Sequence, residues 1–198
     1  GDATEVEGIV EAADSIDGPV YCRVLRGAIP RLFDTPFRVG QMRVLSEGGD
    51  VLVVTAGITT EEAIRARGAL DAAGVSVRHL HLGTLKPFDA AQILDHAASV
   101  RHGVVTLENH LVAGGIGTMV AEAMAEAGMG KRLIRLGLQD TYAHGGSRPY
   151  LMRHYGLDAL ALVRAIERLT AQETGIDEAA LGEVRVDEVH SAVKAEAL

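Results

Sequence analysis

The run from Val104 to Ala123, VVTLENHLVAGGIGTMVAEA, constrains this chain more than any other. Val104, Val105 and Leu107 read as a strand ending at Glu108. A short polar loop follows, and Gly114-Gly115-Ile116-Gly117 enters a helix. A strand that passes through a glycine-rich loop into a helix is the joint on which open parallel α/β sheets hang their functional loops.

The same alternation runs through most of the chain. Val51-Leu52-Val53-Val54-Thr55 is apolar on both faces, as a central parallel strand is. Thr59 and Glu62 have capping-box spacing ahead of a helical stripe of Ala63, Ala66, Leu70 and Ala73, which Gly74 stops. Val75–Leu82 is the next strand, and Asp89 caps a helix carrying Ile93, Leu94 and Ala97. The helix 116–127 stops at Gly128, Leu133–Leu136 is the last strand, and two helices start near Ser147 and Asp158. Met42–Leu45 is a further strand, joined to 51–55 by too short a turn for a parallel crossover, and is expected to be antiparallel. The fold class is therefore α/β: three layers, with a five-stranded mixed, mostly parallel sheet between helices.

Upstream of this, 2–17 reads as an amphipathic helix with Val6, Ile9, Val10 and Ala13 on one face and an Asp2/Glu5 capping pair. Val20–Leu25 reads as a strand, and 26–40, with Pro30, Pro36 and Gly40, as a linker. Residues 171–198 read as a loosely attached helical tail. The chain opens Gly1-Asp2-Ala3 without a Met, as a fragment would.

Of the 198 residues, 47% are hydrophobic but only 4% aromatic, so the core is built from Ala, Val, Leu and Ile. A net charge of −8 argues against nucleic acid as a partner, since phosphate contact needs clustered Lys and Arg. Cys22 is alone, which excludes a disulfide framework and points to a reducing cytoplasm. No run approaches the roughly 18 apolar residues that span a bilayer, so no membrane partner is expected.

The candidate sites are few. Gly114-Gly115-x-Gly117 invites a dinucleotide reading, but Val120 stands where a third glycine belongs and the cluster follows a late strand. The glycines are better read as room for a turn and for close packing of the helix. His79 and His81 alternate on one strand face, a workable ligand spacing without a third ligand, and they suit a sheet edge or a domain contact equally. His110 and His144 fall in loops, where function concentrates. No G-x-S-x-G elbow exists, and Cys22 reads as a small hydrophobe inside a strand. The residues alone point to no catalytic, metal or cofactor-binding set in this chain.

Five segments in register resemble the transketolase family. They are Pro19–Arg26, Asp50–Gly57, Thr84-Leu85-Lys86-Pro87-Phe88-Asp89, Glu108-Asn109-His110 with Gly114-Gly115-x-Gly117, and Gly145-Gly146 with the helix 150–157. The resemblance implies that 1–37 is the end of a pyrimidine-binding domain with its linker, that 38–170 is the C-terminal domain, and that 171–198 lies outside the match. The implied activity is thiamine-diphosphate-dependent transfer of a two-carbon ketol unit between sugar phosphates. Thiamine diphosphate and Mg²⁺ would belong to the complete enzyme and to domains or a subunit upstream, leaving this chain inactive alone. The β subunit of a 2-oxo acid dehydrogenase, 1-deoxyxylulose-5-phosphate synthase, a non-catalytic dimerisation module and a nucleotide-binding domain are the alternatives. By the family pattern Arg26 binds the substrate phosphate, with Arg23 as its competitor. A homodimer is expected through 109–124, where Leu111, Val112, Ile116 and Met119 would be costly to leave wet.

Overall fold

The computed structural model describes residues 1–25 and 27–183. Arg26 lies outside them, as does the last part of the tail, 184–198. Among the described residues the elements are α1 (Ala3–Asp14), β1 (Met42–Ser46), β2 (Val51–Ala56), α2 (Thr59–Ala72), β3 (Val77–Leu82), α3 (Ala90–Ser99), β4 (Gly103–Leu111), α4 (Ile116–Glu126), β5 (Arg132–Leu138), α5 (Arg148–His154) and α6 (Ala159–Thr170).

The five strands lie in the order β1-β3-β2-β4-β5, with β1 and β5 as edges. β2, β3, β4 and β5 are parallel, and β1 is antiparallel. Its partner is β3, not its neighbour in sequence. The chain crosses from β1 to β2 by passing Gly48 against the backbone of Val77 and Arg78, where a Cβ would overlap main-chain atoms.

Alternation along β2 splits the interior into two cores. Val51 and Val53 face α2 and α6, joining Ala66, Leu70, Leu162, Val163, Ile166 and Leu169. Leu52 and Val54 face α3 and α4, joining Ile93, Ala97, Ile116, Val120 and Met124. Burial of both strand faces is what the uninterrupted apolar run required. Ile116 is only 1% exposed, so of the four apolar residues expected at a dimer contact it is spent inside the chain.

Several local expectations are corrected. The Thr59/Glu62 capping box does not form: Ile58 is the N-cap, and Thr59 Oγ1 donates to the carbonyls of Ala56 and Leu107, pinning α2 to two strands. The Glu62 carboxylate accepts instead from Ala159 N at 2.9 Å and Arg65 Nη1 at 2.7 Å, tying the start of α6 to α2. β4 does not end at Glu108. After a break in register it pairs again at Leu111↔Leu138, so Asn109 and His110 belong to the strand. Val20–Leu25 forms no strand; Tyr21, Cys22 and Val24 are exposed, because no sheet edge of the chain lies beside them. The tail is not loose where it is described: Ile176 and Leu181 are buried in the α2/α6 core, and Arg65 bonds Glu178 and the Gly182 carbonyl.

α1 inverts the expectation for part of its apolar stripe. Glu5 turns inward and is buried, while Val6 is 41% and Val10 71% exposed; Ile9 is half-buried, and Glu7 and Glu11 stay exposed. Asp2 explains the inversion: its carboxylate caps Glu5 N and also accepts from the N–H groups of Leu32 and Phe33, fastening the helix by its polar end.

Candidate functional site

From β2 the chain steps to β3 on one side, then crosses to β4 on the other. The carboxyl ends of β2 and β4 therefore flank the point where strand order reverses, the place where open α/β sheets bind ligands. Beside this point, at the carboxyl ends of β2 and β3, lies a cavity of about 80 Å³, walled by Gly57 and Ile58 after β2, Gly83 after β3, Glu5, Val6 and Ile9 of α1, and Arg23, Val24 and Leu25 of the extended segment. Arg23 bridges the crevice: its Nη2 donates to the Asn109 carbonyl at 2.9 Å. The expected phosphate ligand, Arg26, lies outside the described residues.

Beneath the crevice runs a buried hydrogen-bonded chain. Glu5 Oε2 is 3.0 Å from His81 Nε2, and His81 Nδ1 is 2.7 Å from Thr60 Oγ1. Thr60 is 2.8 Å from Thr55 Oγ1, which is 2.8 Å from His79 Nε2. A carboxylate only accepts, so His81 donates from Nε2 and must accept at Nδ1. Thr60 then donates to His81, Thr55 to Thr60, and His79 Nε2–H to Thr55. That polarity leaves His79 Nδ1 as a bare acceptor, and it is indeed a buried atom without a partner. Burial pushes His79 down to about 3 and also lowers His81, so both imidazoles are neutral. Burial alone would raise Glu5, but the hydrogen bond from His81 and the Gly1 ammonium hold it well below the usual carboxylate range. Arg43 completes the cluster at 3.1 Å from Glu5 Oε1.

His79 and His81 are thus structural, one face of β3 bonded to β2, α2 and α1. Among the described residues no group of three or more His, Cys, Asp or Glu could hold a metal. His110 is exposed and its Nδ1 donates to the neighbouring Leu111 carbonyl. His144 sits between Tyr155 and Tyr150, with Nδ1 3.0 Å and Nε2 3.3 Å from their hydroxyls, against the His154 ring, and none of the four lines the crevice.

The glycine cluster holds no phosphate cradle, and the reason is Glu108. Its Oε2 accepts from Ile116 N at 2.8 Å and its Oε1 from Gly117 N at 2.9 Å, filling the positive end of α4 with the chain's own carboxylate. Gly115 is needed for space, since a Cβ there would overlap Glu108 Oε2. Glu108 and Glu5 are the two residues that sequence reasoning undervalued. An acidic residue at a strand end before Gly-Gly-x-Gly was the available signal for the first; a glutamate already explained by its cap hid the second.

The family of transketolase C-terminal domains matches residues 40–162. A putative uncharacterised transketolase family protein of Sinorhizobium fredii is 35% identical over 170 residues, covering 84% of this chain and 49% of that protein. A 6-deoxy-6-sulfo-D-fructose transketolase subunit of a Clostridium species is 36% identical over 159 residues, with 79% and 49% covered. A solved split-gene transketolase, described as an inactive beta4 tetramer, superposes with a TM-score of 0.79 at 36% identity, over 86% of this chain and 56% of that one. The chain spans about half the length of the curated relatives it matches. By its motifs, its sheet order and these likenesses, the chain belongs to the transketolase C-terminal domain family.

Proposed function

We propose that this chain is the C-terminal part of a thiamine-diphosphate-dependent transketolase that moves a two-carbon ketol unit between sugar phosphates. Its own tasks are assembly and part of the substrate phosphate site. The observation that carries the reading is α1, whose apolar Val6 and Val10 are exposed, as are Val20 and Val24 of the following segment. A helix with apolar side chains turned outward asks for a further packing layer, and relatives of about twice the length supply room for one. Residues 1–37 thus read as the end of the pyrimidine-binding domain, 38–170 as the C-terminal domain and 171–198 as its appendage. A lone, exposed Cys22 suits a reducing cytoplasm.

Thiamine diphosphate does not fit the described residues. The helix terminus that would suit its diphosphate is filled by Glu108, whose carboxylate would repel it. The cofactor and its Mg²⁺ belong to the upstream domains or subunit, and no chemical step is assigned to this chain. What the chain contributes is a grip on the phosphate. Arg23 already spends one donor on the Asn109 carbonyl, which favours Arg26, three residues on, as the phosphate ligand. Leu111, exposed at 37%, and the half-exposed Val112 and Met119 support a homodimer contact along 109–124.

The test is reconstitution with the complementary upstream half. Ketol transfer should appear only in the mixture, and Arg26→Ala should raise KM for phosphorylated sugars by the equivalent of ~1.5–3 kcal/mol, the worth of a charged hydrogen bond. Non-phosphorylated donors should be nearly unaffected. Activity in the chain alone, or equal losses on both donor types, refutes the reading.

A further inference from the structure

We infer that Glu108 is a positioning residue for the crevice, acting on its rim through the Asn109 carbonyl and Arg23. The inference rests on the sugar-phosphate reading above. β4 last pairs with β2 at Ala56↔Glu108 and resumes with β5 only at Leu111↔Leu138. Asn109 falls in that break, between the last pair with β2 and the resumed pair with β5. Direction comes from Glu108, 4% exposed, whose two oxygens are locked by successive N–H groups of α4. The next carbonyl, that of Asn109, is thereby aimed at Arg23. Asn109 Oδ1 lies over Gly57, 3.2 Å from where a Cβ would stand, on the crevice wall. Arg23 in turn holds the segment whose Val24, Leu25 and Ile29 form the opposite wall.

The linkage is thus one continuous train from the α4 terminus, through Glu108 and Asn109, to Arg23 and the far wall. In this geometry the helix dipole, which elsewhere binds a ligand's phosphate, orients the protein's own rim. Glu108 touches no substrate. Its loss should be felt as a misplaced phosphate contact, not as failed chemistry.

The experiment compares Glu108→Gln, Gly115→Ala, Arg23→Ala and the Glu108→Gln/Arg23→Ala double variant in the reconstituted enzyme. A phosphorylated and a non-phosphorylated ketose donor are assayed with each. Gly115→Ala displaces the carboxylate while leaving every linked side chain in place. Arg23 is exposed, so its replacement tests the train without touching the core. The expected result is a rise of about tenfold in KM for the phosphorylated donor alone, with kcat nearly constant. The double variant should be no worse than either single one, as residues acting in series require. Equal losses on both donors, a fall in kcat alone, or additive effects would overturn the inference. Arg26→Ala serves as the separating arm. A selective Arg26→Ala with unselective Glu108→Gln removes the positioning role and keeps the phosphate reading, while the reverse pattern removes the Arg26 assignment and keeps the positioning role.

Discussion

The buried chain from Glu5 to His79 makes a specific demand on stability as the solution is acidified. His79 titrates near 6.5 in an unfolded chain and is pushed down to about 3 by burial in the fold. The unfolded state therefore binds the proton more readily, and stability falls as pH drops from 6.5 towards 3. At pH 5 the imidazole of an unfolded chain is almost fully protonated while the folded one is neutral, a difference of about 2 kcal/mol for His79 alone. His81, lowered in the same direction by burial, adds to it. Glu5 titrates below its unfolded value, so its own acid loss sets in mainly under about pH 4.5 and leaves the interval from pH 6.5 to 5 to the imidazoles. His79→Leu removes the titration at similar volume. Its Nδ1 has no partner to orphan, and Thr55 loses a single accepted hydrogen bond, which costs about 1 kcal/mol at pH 8. Urea unfolding at pH 8 and pH 5 reads the outcome. The acid loss should shrink by about 2 kcal/mol in the variant, somewhat under 1 M in midpoint at an m-value of roughly 2–3 kcal/mol/M. An acid slope identical in both proteins would refute neutral burial of His79.

Two further outcomes follow from packing. Glu62→Ala takes one of two carboxylates from the Arg65 guanidinium, 7% exposed, and the side-chain acceptor from the start of α6, and should cost about 1–3 kcal/mol in thermal or urea melts; a loss well under 1 kcal/mol would show that Glu178 and the Gly182 carbonyl suffice for Arg65. Leu181→Ala should cost about 2–5 kcal/mol, as for any buried leucine, and a neutral result would mean that the tail beyond Thr170 is not part of the core.

The regular half of the molecule was legible because period and punctuation agree. The uninterrupted Val51–Val54 run could only be a doubly covered strand, and Asp89 and Asp158 cap their helices as their positions in the sequence predict. What stayed hidden depends on neighbours that pattern does not name. Nothing in Met42–Ser46 says that its partner is β3 and not β2, since the crossing at Gly48 is a matter of clearance between two backbones. The face of α1 that turns inward was misread because an apolar stripe marks where a helix wants to pack, not which partner is at hand. His79 and His81 were correctly seen to share a face, but the Thr55 and Thr60 hydroxyls that consume them come from other elements. The glycine cluster was read as room for a turn and close packing, but the side chain that needs the room, Glu108, was seen only as the end of a strand.

Among the described residues no strand pairs the outer edge of β5, and this has a consequence for how these molecules behave in a crowd. A bare strand edge is a template for further strands, and sheets that grow from one molecule into the next precipitate as fibres. Arg132 and Arg135 both stand exposed on that edge. A second strand docking there would meet a charged side chain toward each face of the sheet, Arg132 bonded to the Leu169 carbonyl and Arg135 to the Thr118 hydroxyl. The strand can therefore end the sheet in open water, and the two arginines act as gatekeepers against aggregation.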